Sequence, residues 1–270
     1  MRGASRPSFA ALREQLPRAA TSPASAKLTG DELFAVTGLL DTEHGLRRAL
    51  SDPGKPAAEK SAVARSLLGD KISAATIKLV ETAVEGRWAS PSDLADALEQ
   101  TAMEAECIAA EFDGTLDDLE DHLFRFSRLI AANPDLRTAL VSQNLPNENK
   151  RGLIQALLGG KAAQTAIDLI IQVVTHPRGR LLTANLDVCA RIAAERRQQL
   201  IATVRTSAEL TQAQRRRLAA ALKATYGHGV QLNVVVDPAV VGGISVQIGD
   251  ELIDGTAATR LAEVRRNLAA

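Results

Sequence analysis

Apolar residues from Leu116 onward fall at Leu116, Leu119, Leu123, Phe126 and Ile130, in steps of three and four. That spacing predicts a helix with one apolar stripe. Asn133-Pro134 ends it, because a residue before proline avoids the α region. A short helix at 136–141 follows. Pro146 then opens a helix carrying Leu153, Ile154, Leu157 and Leu158, which stops at Gly159-Gly160. The next helix carries Ile167, Ile170, Ile171 and Val174 and ends before His176-Pro177. A longer one holds Leu186, Ala190, Ala193 and Leu200. Upstream the same order predicts helices at 33–50, 56–68 and 73–84. Ser90 then caps a long helix with Pro91 at its first position, running to about Phe112 and joining two bundles.

The likeness of the two series is a repeat at an offset of 90, since 136 − 46 = 90. Leu46 of LRRAL meets Leu136 of LRTAL, Lys60 meets Lys150, and Leu67-Leu68-Gly69 meets Leu157-Leu158-Gly159. Ile77, Leu79 and Val84 meet Ile167, Leu169 and Val174. Asp31, Leu33, Phe34 and Leu39 meet Asp121, Leu123, Phe124 and Leu129. The matches fall mainly on apolar positions, as a duplicated core requires.

Near Leu200 the period changes to two. Leu200, Ala202, Val204 and Thr206 alternate as a strand. Thr211 and Gln214 form a capping box at the head of a helix whose Leu218 and Leu222 share one face. Val230, Leu232, Val234 and Val236 predict a second strand, and Gly242-Gly243 a corner. Ile244, Val246 and Ile248 predict a third strand, Gly249-Asp250 a hairpin turn, and 251–253 the returning strand. A last helix carries Ala257, Leu261, Val264 and Leu268. The reading is mainly α with a small α/β C-terminal domain: two tandem helical bundles at 1–110 and 111–197, then a short sheet packed with helices at 198–270.

Composition narrows the function more than it narrows the fold. Net charge is zero, with 32 basic and 32 acidic residues, so no global field draws the chain to nucleic acid or an anionic membrane. Cys107 and Cys189 lie far apart in helical patterns and read as core residues of a reducing compartment. No apolar run reaches the roughly 20 residues of a membrane span, and residues 1–15 lack a signal peptide's apolar region; both predict a soluble, cytoplasmic chain. Gly159-Gly160-Lys161 fails as a phosphate loop, because Gln155 stands where the first glycine is needed and Ala162 follows the lysine. His44, His122, His176 and His228 share no face at metal-ligand spacing. Arg196-Arg197, Arg215-Arg216-Arg217 and Arg265-Arg266 read as solvated helix faces. We expect no catalytic residue, no cofactor and no metal.

The stretch 236–266, VDPAVVGGISVQIGDELIDGTAATRLAEVRR, closely resembles the C-terminal signature of the delta subunits of bacterial F-type ATP synthases. Their mitochondrial counterpart is the oligomycin-sensitivity-conferring protein. Asp237-Pro238, Gly242-Gly243, Gly249-Asp250, Ile253-Asp254-Gly255, Arg260-Leu261 and Arg265-Arg266 carry the resemblance. Asn133-Pro134, Leu136-Arg137, Lys150, Leu157, Gly159-Gly160 and Arg180 extend it upstream to about Leu116. The front departs from the family: one helical bundle is usual there and two are present here, like the longer form found in some high-GC Gram-positive bacteria. The family's Tyr-Ala-x-Ala-Leu pattern is approached by SFAALREQL at 8–16, with Phe9 in the tyrosine place; EAECIAAEF at 104–112 is its nearest second copy.

The resemblance implies a non-catalytic peripheral-stalk (stator) subunit at the cytoplasmic face of the bacterial plasma membrane. It would be present once per complex and would not insert into the membrane. A helical bundle would grip an amphipathic N-terminal helix of an alpha subunit, and the C-terminal part would hold the b-type stalk subunits. By the same analogy the alpha groove uses the first and fifth helices of a bundle: Phe9, Leu12, Ile77, Val80 and Val84 in one, Ile167, Ile170, Ile171 and Val174 in the other, with both bundles left as candidates. Arg260, Arg265 and Arg266 would face the b subunits. Two rival readings are a helical-repeat scaffold for an unrelated amphipathic peptide and a nucleic-acid binder acting through its arginine clusters.

Overall fold

The computed structural model describes residues 3–197, 200–226, 230–237, 240, 242–248 and 251–254. The chain divides into two compact units, Met1–Ala194 and Glu195–Ala270.

The first unit is helical. α1 (Ser5–Ala19), α2 (Pro23–Thr42), α3 (His44–Ser51), α4 (Ala57–Leu68) and α5 (Ala74–Glu85) lead into the long α6 (Pro91–Phe112). Then come α7 (Leu116–Ala132), α8 (Pro134–Val141), α9 (Asn147–Leu158), α10 (Gln164–Thr175) and α11 (Leu182–Arg197). Local chemistry sets the ends. Ser22, Ser73 and Ser90 each accept a bond from the third backbone N–H of the helix that follows. Pro146 caps α9 rather than starting it. The N–H of Gly159 bonds to the Gln155 carbonyl at 2.8 Å, and Gly160 takes φ +70°, a conformation that suits glycine. The helix expected at 33–50 is two helices. Glu43 breaks it with no proline, its N–H bonding to the Leu39 carbonyl, so that the amphipathic α3 can bury Leu50.

Adding 90 to the bounds of α3, α4 and α5 gives those of α8, α9 and α10. The same shift carries α2 onto α7, α1 onto residues 95–109 of α6, and α6 onto α11. One helix therefore ends the first copy and begins the second. Bonds between helices repeat in register too. Glu32 accepts the Ser73 N–H at 2.7 Å, and His122 Nδ1 accepts the Ala163 N–H at 3.2 Å. Lys60 and Lys150 are both buried. The second copy of α1 thus lies at 95–109, upstream of 104–112. α6 packs against helices of both copies within one continuous core, and 14 of its 22 residues are buried. Phe9, Leu12 and Leu16 of α1 become Glu99, Ala102 and Glu106, which hides the likeness.

The second unit holds β1 (Leu200–Thr206), α12 (Gln212–Tyr226), β2 (Val230–Val236), β3 (Ile244–Ile248) and β4 (Glu251–Asp254). Strand order is β2-β1-β3-β4, with β1 and β2 parallel and the other pairs antiparallel. α12 provides the crossover that two parallel strands require. Ala202, Val204, Leu222, Val246 and Ile248 form the core. The capping box is present: Gln214 Oε1 accepts the Thr211 N–H at 2.8 Å, and Thr211 Oγ1 accepts the Gln214 N–H at 3.4 Å. Gly242 and Gly243 both have positive φ, 65° and 82°, which allows the corner before β3. The Gly249-Asp250 turn and the last expected helix lie outside the described residues.

Candidate partner-binding surfaces

The expected groove residues sit inside the first unit. Leu12 on α1 and Ile77, Val80 and Val84 on α5 are buried, with Phe9 packed half-buried at the edge. Ser5 and Ser8 hold α1 onto the α5–α6 connection: Ser5 Oγ binds the Asp93 carboxylate and the Ala89 N–H, and Ser8 Oγ accepts the Arg87 N–H at 2.8 Å. In the second copy Ile167, Ile170, Ile171 and Val174 are likewise buried. The polar residues that solvent meets along α5 include Lys78, Glu81, Thr82 and Glu85. Arg260, Arg265 and Arg266 lie outside the described residues.

The bundles are joined to each other by charges that periodicity did not single out. Toward the end of α6, Lys27 Nζ lies 3.2 Å from Glu106, 3.0 Å from Asp31 and 3.1 Å from Asp168 of α10. These residues line a cavity of about 290 Å³ with Phe34, Arg151, Leu169 and Ile171. Burial raises the Glu106 carboxyl to about 7 despite Lys27, and its Oε2 has no hydrogen-bond partner. Burial alone would lower the Lys27 ammonium, but Glu106, Asp31 and Asp168 together raise it. The two shifts are compatible, because Lys27 has three carboxylates whereas Glu106 has one ammonium.

Two turns earlier on the same face of α6, Arg178 Nε lies 2.6 Å from Asp41, and its Nη1 lies 2.8 Å from Asp96 and 2.7 Å from Glu99. Arg180 also binds Glu99. Arg178 holds φ +51°, a left-handed conformation that is strained for a residue with a side chain. The cluster holds it there. The signal in the sequence was Glu99 and Glu106, seven residues apart and so on one face, in a helix otherwise rich in alanine.

Nothing in these clusters resembles a reaction centre. Among the described residues no group of three or more His, Cys, Asp or Glu could hold a metal ion. Both cysteines are buried, and burial pushes the Cys189 thiol up to about 12, away from nucleophilic use at neutral pH. Among the described residues no helix is long and apolar enough to cross a membrane.

Comparison with known proteins gives the chain a context. The family described as ATP synthase delta (OSCP) subunit matches residues 107–268, beginning within α6. The chain is 45% identical to ATP synthase subunit delta of Streptomyces griseus over 100% of both chains. It is 44% identical to that of Thermobifida fusca and 44% to that of Acidothermus cellulolyticus, each over 100% of both chains. A chain of the Toxoplasma gondii mitochondrial ATP synthase hexamer aligns over 62% of this chain and 95% of its own length. Its 18% identity and TM-score of 0.28 are too low to carry an argument.

Proposed function

The chain belongs to the ATP synthase delta (OSCP) family, and on that premise we propose that it ties alpha-subunit N-terminal helices of the catalytic head to the b-type stalk. It is a stator subunit. Its work in this reading is mechanical: it holds the head still while the rotor turns, and it makes and breaks no bond itself. The chain would sit at the cytoplasmic face of the bacterial plasma membrane, once per complex. Its parts would be the bundles at 1–110 and 111–197 and the domain at 198–270. The observation that carries the reading is the match along the full length to relatives named as delta subunits. The same match sets aside the unrelated-scaffold reading.

Helix-in-groove recognition suits the proposed alpha contact. Two separate attachments, to head and stalk, raise retention through effective concentration. Val80 and Ile170 are fully buried, so aspartate there would test folding rather than docking. The direct test is purification of the synthase from membranes of the source organism through a tag on this chain. Alpha and b subunits are expected in the product, and ATPase activity should leave the membrane when the chain is removed. A synthase isolated through its alpha subunit with this chain absent would overturn the reading.

A further inference from the structure

The 90-residue register lets one bundle act as the reference for the other. On α2, Lys27, Asp31, Phe34, Gly38 and Asp41 follow at helical spacing and share a face away from the helix's own core. The second copy covers that face. Asp168 meets Lys27, Leu169 and Ile171 line the same cavity as Phe34, and Arg178 reaches Asp41. Phe34 is left 8% exposed. The register equivalents on α7 are Asp117, Asp121, Phe124, Arg128 and Ala131. No third copy follows them in the chain. All five are exposed, Phe124 at 56%. The Arg128 guanidinium lies 5.8 Å from the Phe124 ring centroid, and Arg125 pairs with Asp121 at 2.8 Å.

We propose that this face of α7 docks one amphipathic helix of another subunit of the synthase. That helix presents a lysine or arginine toward Asp117 and Asp121, an aliphatic side chain onto Phe124 and a carboxylate toward Arg128. The inference rests on the stator reading. The chemistry of the occupant follows from the inner joint. There the receiving helix carries the cation, Lys27, and the seated helix the carboxylate, Asp168, with Ile171 three residues on. On α7 the place of Lys27 is taken by Asp117, so the charge on the seated helix must reverse. Arg128 in the place of Gly38 puts the cation on the receiving helix, where the inner joint has Arg178 and Arg180 beside Gly38 from the seated copy, and an approaching carboxylate neutralises it.

A second copy of this chain fits less well. It would offer α5, where Lys78, Leu79, Glu81 and Thr82 stand in the places of Asp168, Leu169, Ile171 and Gln172. Lys78 suits Asp117, but Glu81 would bring a carboxylate onto Phe124. Arg65 Nε already donates to Glu81 at 2.7 Å, a polar finish like that of a terminal repeat.

The test places a photoreactive benzoylphenylalanine at position 124 of the full-length chain within the purified complex. The expected product is a bond to a helix of a different subunit, at a residue about three positions after a lysine or arginine. In parallel, Phe124→Ser and Asp121→Lys should each lower retention of the chain in the complex by about tenfold. The melting temperature of the isolated chain should stay unchanged, because both positions are on the surface. Adducts confined to this chain or to a second copy of it, or unchanged retention of both variants, would overturn the inference. If the chain co-purifies with the synthase while position 124 reaches no other subunit, the docking face fails and the stator reading stands. If the chain is absent from the synthase, both fail.

Discussion

Glu106 gives the joint between the bundles a pH dependence. Its carboxyl is raised from 4.5 to about 7, first by burial, so the folded chain keeps a proton that the unfolded chain has released. Its contribution to stability is complete below about 4.5 and falls as pH climbs through 7. Glu106→Gln removes the ionisation and leaves Lys27 its bonds to Asp31 and Asp168. Between pH 5 and 8 the native chain should lose roughly 1–3 kcal/mol relative to that variant, by urea denaturation at each pH. Arg178 has the opposite character, because its partners need its charge. Arg178→Ala leaves Glu99 only Arg180 and leaves Asp41 only Arg47. The loss should be about 2–4 kcal/mol in thermal or chemical unfolding. Arg178→Lys should recover part of it, since an ammonium lacks the fork that reaches three carboxylates.

Helix ends and faces were the most readable elements. Ser90→Ala should cost about 1 kcal/mol in denaturant titration, because the Ser90 hydroxyl accepts the Asp93 N–H at 3.3 Å. Ser90-Pro91, Gly159-Gly160 and Thr211–Gln214 act through local geometry that a short stretch of sequence contains whole. The α7 stripe was legible because one face meets one core. α6 was harder. A helix packed on two sides has no single stripe, and its apolar positions shrink to alanine where α2 comes close. Gly30 of α2 shows how close: a Cβ there would stand 2.6 Å from Glu106 Oε1. The break at Glu43 was missed because it uses no proline. The expected groove positions were legible as apolar, but periodicity cannot separate a lining residue from a core residue. The contacts of Lys27 with Glu106 and of Arg178 with Glu99 each span 79 residues, which no local pattern reveals.

At the scale of the whole molecule, sharing α6 couples the two bundles. A polypeptide of residues 113–194 lacks the helix that its core is built on and should remain unfolded by circular dichroism. Residues 91–194 should regain helical structure. Residues 1–194 should melt in one cooperative transition by calorimetry, because one continuous hydrophobic core runs through both copies. A separate transition for each bundle in 1–194 would contradict this.

Because α6 is the last helix of one copy and the first of the next, the 90-residue period holds five helices. Each further period would lengthen a chain by 90 residues and five helices, never six. A chain with one period fewer would have 270 − 90 = 180 residues. A relative grown by one more step would have 360 residues and sixteen helices ahead of its sheet, and its new bundle would come to rest on Phe124.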